Sequence, residues 1–121
     1  MDIMAVGAGG FLGAVLRYLI GLVTVKEATV FPVKTFTINI VGCFAIGIIT
    51  VLASKNPNIN PRWILFLKVG ICGGFTTFST FALETTDLMK NGHTGIALLY
   101  VVMSVVVGVA VIFGTELAIG K

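Results

Sequence analysis

Charged side chains make up only 11% of this 121-residue sequence. Eight Lys and Arg and five Asp and Glu leave a formal net charge of +3, and they sit mostly between apolar runs. No cluster of basic residues forms, so a nucleic-acid-binding surface is excluded. The single histidine, His93, stands in a connecting stretch with no partner for a metal or catalytic site. Both cysteines, Cys43 and Cys72, fall inside apolar segments without metal-ligand spacing. They read as small buried apolar side chains, and no disulfide is expected. There is no Ser–His–acid order, no phosphate loop and no HExxH motif, and no enzymatic activity is expected. The glycines of Gly7-Ala-Gly-Gly-Phe-Leu-Gly13 loosely match a dinucleotide fingerprint. They open an apolar span rather than follow a strand, so the match fails its structural test. The N-terminus lacks a basic region and a clear small-residue cleavage site, so the first apolar segment is expected to stay in the protein.

Apolar residues fill this space: 57% of the chain is hydrophobic, and the mean hydropathy is +1.09. Four apolar segments separate, at about 5–25, 36–53, 63–83 and 95–113. Each is close to the ~20 residues that a helix needs to cross ~30 Å of hydrocarbon. The expected fold is therefore an all-α membrane protein, one four-helix domain over 1–121. An even number of spans puts both termini on one side. Lys26, Lys34 and Lys90 flank the spans on one side, against Lys55, Arg62 and Lys121 on the other; Lys68 adds one to the second group. This near balance gives almost no orientation signal. It fits either a single topology helped by a partner or a dual topology in which antiparallel dimers form. Gly7, Gly10, Ala14, Arg17 and Gly21 recur on one helical face, as do Thr35, Asn39, Gly42, Cys43 and Gly47. Small residues permit close helix approach in lipid.

The most informative stretch is Gly70-Ile-Cys-Gly-Gly-Phe-Thr-Thr-Phe-Ser-Thr-Phe81. It places paired glycines, four hydroxyls and three phenylalanines inside a membrane-length segment. An opened helix in hydrocarbon leaves backbone groups unsatisfied, at several kcal/mol each, unless protein, water or an ion meets them. Arg17 lies well inside the first span, where it is either a snorkelling or structural arginine or the source of a positive potential near an anion entrance. Asn39 either joins two helices or offers its amide N–H groups to an anion. Tyr100, Ser104 and Gly108 follow one another at i, i+4, i+8 along the fourth span. Phe78 and Phe81 share a helix face, and converging ring edges attract a small anion weakly.

Three motifs together resemble the Fluc/CrcB family of fluoride channels. They are Gly9-Gly-Phe-Leu-Gly-Ala-Val-Leu-Arg-Tyr18, Thr37-Ile-Asn-Ile-Val-Gly-Cys-Phe44 and Gly73-Gly-Phe-Thr-Thr-Phe-Ser-Thr-Phe-Ala-Leu-Glu84. The resemblance covers the whole chain. It implies an antiparallel, dual-topology homodimer, with the third helix broken at mid-membrane and two fluoride pathways. It implies that Phe78 and Phe81 face fluoride with their ring edges and that Asn39 is the pore asparagine. Ser79, Thr80, Tyr100 and Ser104 resemble members of a polar track. Gly73 and Thr76 match positions whose backbone carbonyls hold a structural Na+ at the dimer centre. Arg17 corresponds to a vestibule arginine and Glu84 to an acidic residue beside the pore. The implied function is passive fluoride export across the plasma membrane of a prokaryote, with fluoride, the lipid bilayer and a second copy of the chain as partners. The rival is a proton-coupled exporter of cationic compounds similar to the small multidrug resistance family, which needs a first-span carboxylate. This first span offers Arg17 and no acid.

Overall fold

The computed structural model describes residues 1–23 and 30–120. The predicted end of the first span at Val25, together with Lys26 and Lys121 of the charge count, lies outside the described residues. Among those described there are helices and no strands. Four helical spans are long and apolar enough to cross a membrane: Asp2–Gly21, Val33–Lys55, Pro61–Lys90 and Thr94–Ile119. Between 11% and 22% of each span's most apolar window is buried inside one copy, so most of the apolar surface faces outward. Such a surface would drive aggregation in water, whereas lipid solvates it.

Helix α1 is Asp2–Gly21 and α2 is Val33–Lys55. The third span is built in pieces: α3 at Pro61–Ile64, a π-helical segment at Leu65–Cys72, α4 at Gly73–Phe75 and α5 at Phe78–Lys90. The fourth span is α6, Thr94–Ile119. Local chemistry sets the ends. Asn60 caps α3 by accepting the Arg62 N–H at 3.0 Å, and Pro61 occupies the first turn, where its missing N–H costs nothing. The α5–α6 turn needs Gly92 at φ +84°, the only positive φ among the described residues. His93 N–H then bonds the Leu88 carbonyl at 2.8 Å and Gly92 N–H that of Met89 at 3.2 Å, a Schellman closure.

The closest packing is between α1 and the first half of the third span, which run parallel. Asp2 meets Arg62 at one end, and Arg17 meets Gly74 at the other. Gly9 lies against Gly70, Gly13 against Ile71 and Phe75, and Gly74 against the backbone of Gly10. A Cβ on Gly13 would strike the Ile71 carbonyl oxygen, and one on Gly70 would stand 2.8 Å from the Gly9 Cα. The contact face of α1 is thus Gly9 and Gly13, beside the predicted row of small residues. A Cβ on Gly7, Gly10 or Gly21 of that row would meet nothing within 4 Å. Helices α2 and α6 run parallel, with Gly108 against Cys43 and Gly47 against Thr115.

Candidate functional site

Helical geometry stops at Thr76 (φ −82°, ψ 156°) and Thr77 (φ −147°, ψ 119°). Two extended residues between helices leave donors and acceptors without their helical partners. Asn39 of α2 meets both backbone groups of Thr77. Its Nδ2 donates to the Thr77 carbonyl at 3.1 Å, and its Oδ1 accepts the Thr77 N–H at 2.9 Å. An amide is the side chain suited to this, since it presents a donor and an acceptor side by side. One N–H of Nδ2 remains beyond this pair. The Thr77 hydroxyl caps α5 by accepting the Thr80 N–H at 3.2 Å.

These bonds have a consequence for the carbonyls. In a continuous helix Thr77 N–H would bond Gly73, and Thr80 N–H would bond Thr76. Both donors are diverted to side chains, so the Gly73 and Thr76 carbonyls lose their i+4 partners. The Gly74 carbonyl is taken by Arg17, whose Nε donates to it at 3.3 Å. A guanidinium here also complements the negative end of the first half-helix.

One helical turn or so further along α5, the Glu84 carboxylate is held by two hydroxyls from other helices. Thr35 donates to Oε2 and Tyr100 to Oε1, each at 2.9 Å. Tyr100 is fully buried at 0% exposure and meets the Phe81 ring edge-on at 4.9 Å between centroids. Phe31 adds a second edge-on contact to Tyr100 at 5.3 Å. Phe78 stands 5.8 Å from Phe81 and is 79% exposed, unusual for so large a ring beside a core cluster.

Between α2, the third span and α6 runs a groove of about 410 Å³. Asn39, Gly73, Thr76, Phe78, Phe81 and Ser104 all line it. The Ser104 hydroxyl is buried and has no hydrogen-bond partner among the described residues. Most buried hydroxyls are partnered, so an orphan facing a groove calls for a ligand or water. Ser79 is exposed on α5, and neither it nor Thr80 lines the groove. Tyr100 lies behind Phe81, with its hydroxyl committed to Glu84. Arg17 approaches the interruption from the α1 side. Two further polar residues belong to this neighbourhood: Thr35 through Glu84, and Lys68 in the groove wall. The sequence signal for Thr35 was its place on the face of Asn39, one turn earlier. For Lys68 it was a cation inside a membrane-length segment.

A family profile described as "CrcB-like protein, Camphor Resistance (CrcB)" matches residues 4–115. A fluoride-specific ion channel FluC of Chlorobaculum tepidum is 47% identical over 118 residues, 97% of this chain and 94% of its own length. The FluC of Chlorobium phaeobacteroides is 41% identical over 96% of this chain and 91% of its own. That of Agrobacterium fabrum is 39% identical over 100% of this chain and 97% of its own.

Proposed function

The chain belongs to the CrcB-like family, and on that premise we propose that it is a fluoride-selective channel that lets fluoride leave the cytoplasm passively. The observation that carries this reading is the groove in which Asn39, Phe78, Phe81 and the unpartnered Ser104 hydroxyl converge. Fluoride is small and strongly hydrated, so a selective path must replace its water with several modest donors. An amide N–H, a hydroxyl and positive ring edges supply them. None carries a full charge that would trap the ion. The only carboxylate of the first span, Asp2, stands exposed at its very end and pairs with Arg62, and none lies within the span for proton exchange with a cationic compound, so the exporter reading is not favoured.

The working unit is an antiparallel dimer with two pathways, and the third helix is broken at mid-membrane. The outward-facing apolar surface of one copy and the balanced loop charges support this arrangement. The carbonyls of Gly73 and Thr76 suit a structural Na+: they are hard oxygen donors whose helical N–H partners have been diverted. A Cβ on Gly73 would meet nothing within 4 Å, so an ion can approach. Two carbonyls are an incomplete shell, and the antiparallel copy supplies the matching pair. Bound there, the cation neutralises exposed carbonyls and adds positive potential near the fluoride path. The bacterial relatives and the four spans support a multi-pass place in the plasma membrane of a prokaryote.

Purified protein in liposomes should release trapped fluoride when potassium and valinomycin allow compensating charge movement. Proton-driven uptake of a cationic dye, without fluoride release, would favour the exporter instead. Phe81→Ile removes the ring edge but keeps apolar bulk. Its flux is expected to fall at least about tenfold, the scale of one lost interaction of ~1.4 kcal/mol in the rate-limiting barrier. Unchanged flux would remove the ring from the pathway. Single cysteines at Asn58 and Asn91, on a background lacking Cys43 and Cys72, test the dimer's orientation. Each should label from both membrane faces; labelling from one face only would contradict dual topology.

A further inference from the structure

We propose that Lys68 recruits the anion: its ammonium draws fluoride into the groove before the ion reaches Asn39. The proposal rests on the fluoride-channel reading and adds to it a residue with no counterpart in the donor set. Lys68 is half-buried and lines the same groove as Asn39, Phe78, Phe81 and Ser104. It comes from the π-helical segment, within the apolar third span. A cation inside a membrane span normally finds a carboxylate or backbone carbonyls. Among the described residues Lys68 makes no hydrogen bond and no ion pair; the ion pair present joins Arg62 to Asp2. No carboxylate lines the groove. Glu84 is turned to Thr35 and Tyr100, and Glu116 lies a turn beyond the lining residue Ile112 on α6 without pairing to Lys68.

The placement along the groove gives the charge its role. Lys68 precedes Thr77, the residue clamped by Asn39, by nine positions on the same span. At helical rise that is roughly 13 Å, too far to bind the ion at Asn39 and well within the Debye length of ~30 Å at an ionic strength of ~0.01 M. A fixed charge between low-dielectric walls raises the local concentration of a counter-ion and its entry rate. Lys68 therefore acts on entry, while Asn39 and the rings act on passage. This division predicts a salt dependence that a packing role would not produce.

The test is fluoride efflux from phosphatidylcholine vesicles, with the total ionic strength set by an impermeant salt. At low ionic strength Lys68→Gln should lower flux about three- to tenfold, and Lys68→Arg should restore most of it. At high ionic strength the gap should close to within about twofold. Equal flux of Lys68→Gln and wild type at low salt would overturn the proposal, as would a deficit that high salt leaves unchanged. A deficit confined to vesicles containing anionic lipid would assign Lys68 to lipid phosphate and overturn it too. Should Lys68→Gln fail to give monodisperse protein, Lys68→Met takes its place. The wild type is a further check, because flux indifferent to salt contradicts electrostatic recruitment. Wild-type protein with no fluoride flux at all would instead overturn the channel reading on which the proposal rests.

Discussion

Asn39→Ala should nearly abolish fluoride flux and destabilise the protein together. The alanine leaves both the N–H and the carbonyl of Thr77 without partners at the helix interruption. Two such groups in a water-poor setting cost about 2–4 kcal/mol. If that loss appears as misalignment of the pathway, it corresponds to a drop of roughly 30-fold or more in flux. The direct donor to the anion is lost as well. Asn39→Asp separates the two contributions. It keeps an acceptor for the Thr77 N–H but loses the donor to the carbonyl and adds negative charge. Stability should recover in part while flux stays low, because a carboxylate repels fluoride. The checks are thermal stability by size-exclusion chromatography in detergent and efflux from vesicles. Wild-type stability and flux in Asn39→Ala would show that the amide is dispensable.

Gly13→Leu should prevent folding altogether. The α1 backbone lies directly on the third span there, so the added Cβ would strike the Ile71 carbonyl oxygen and stand 2.8 Å from the Phe75 nitrogen. Neither is the end of a flexible side chain, so the two spans must move apart. Separation would also break the Arg17 bond to Gly74 and expose the interruption. Overpacking costs about 1–3 kcal/mol where side chains can adjust, and a backbone contact offers less adjustment. Gly114→Ala is the matched control, since its Cβ would meet nothing within 4 Å. It should leave thermal stability within about 0.5 kcal/mol of wild type. Monodisperse, active Gly13→Leu protein would contradict the close α1 packing.

The four helices were legible from hydropathy alone, because long apolar runs have few alternatives in a chain of this composition. The third-span anomaly was legible too, from glycines and hydroxyls set among apolar residues. Its detailed form was not. The glycines Gly73 and Gly74 stay helical, and the extended pair is Thr76–Thr77. Threonine side chains take over backbone bonds there, with Thr76 donating to the Cys72 carbonyl and Thr77 accepting from Thr80. The π-helical turn before them has no residue signature at all. On α1, glycines at positions 7, 9, 10 and 13 populate two adjacent faces, and periodicity could not choose between them. Glu84 shows the general limit. Its partner Thr35 lies 49 positions away, and only the fold reveals that a carboxylate in a membrane span is held by two hydroxyls. Arg17 is similar: the sequence left open an entrance charge or a structural cation, and in the fold it holds the Gly74 carbonyl.

The most direct measurement is paired: fluoride and chloride electrodes in one suspension of vesicles that carry purified protein and both ions. A fluoride-selective path predicts rapid, valinomycin-triggered loss of fluoride while chloride leaks no faster than from protein-free vesicles. Fluoride retained as in empty vesicles, or chloride lost at a comparable rate, would contradict it.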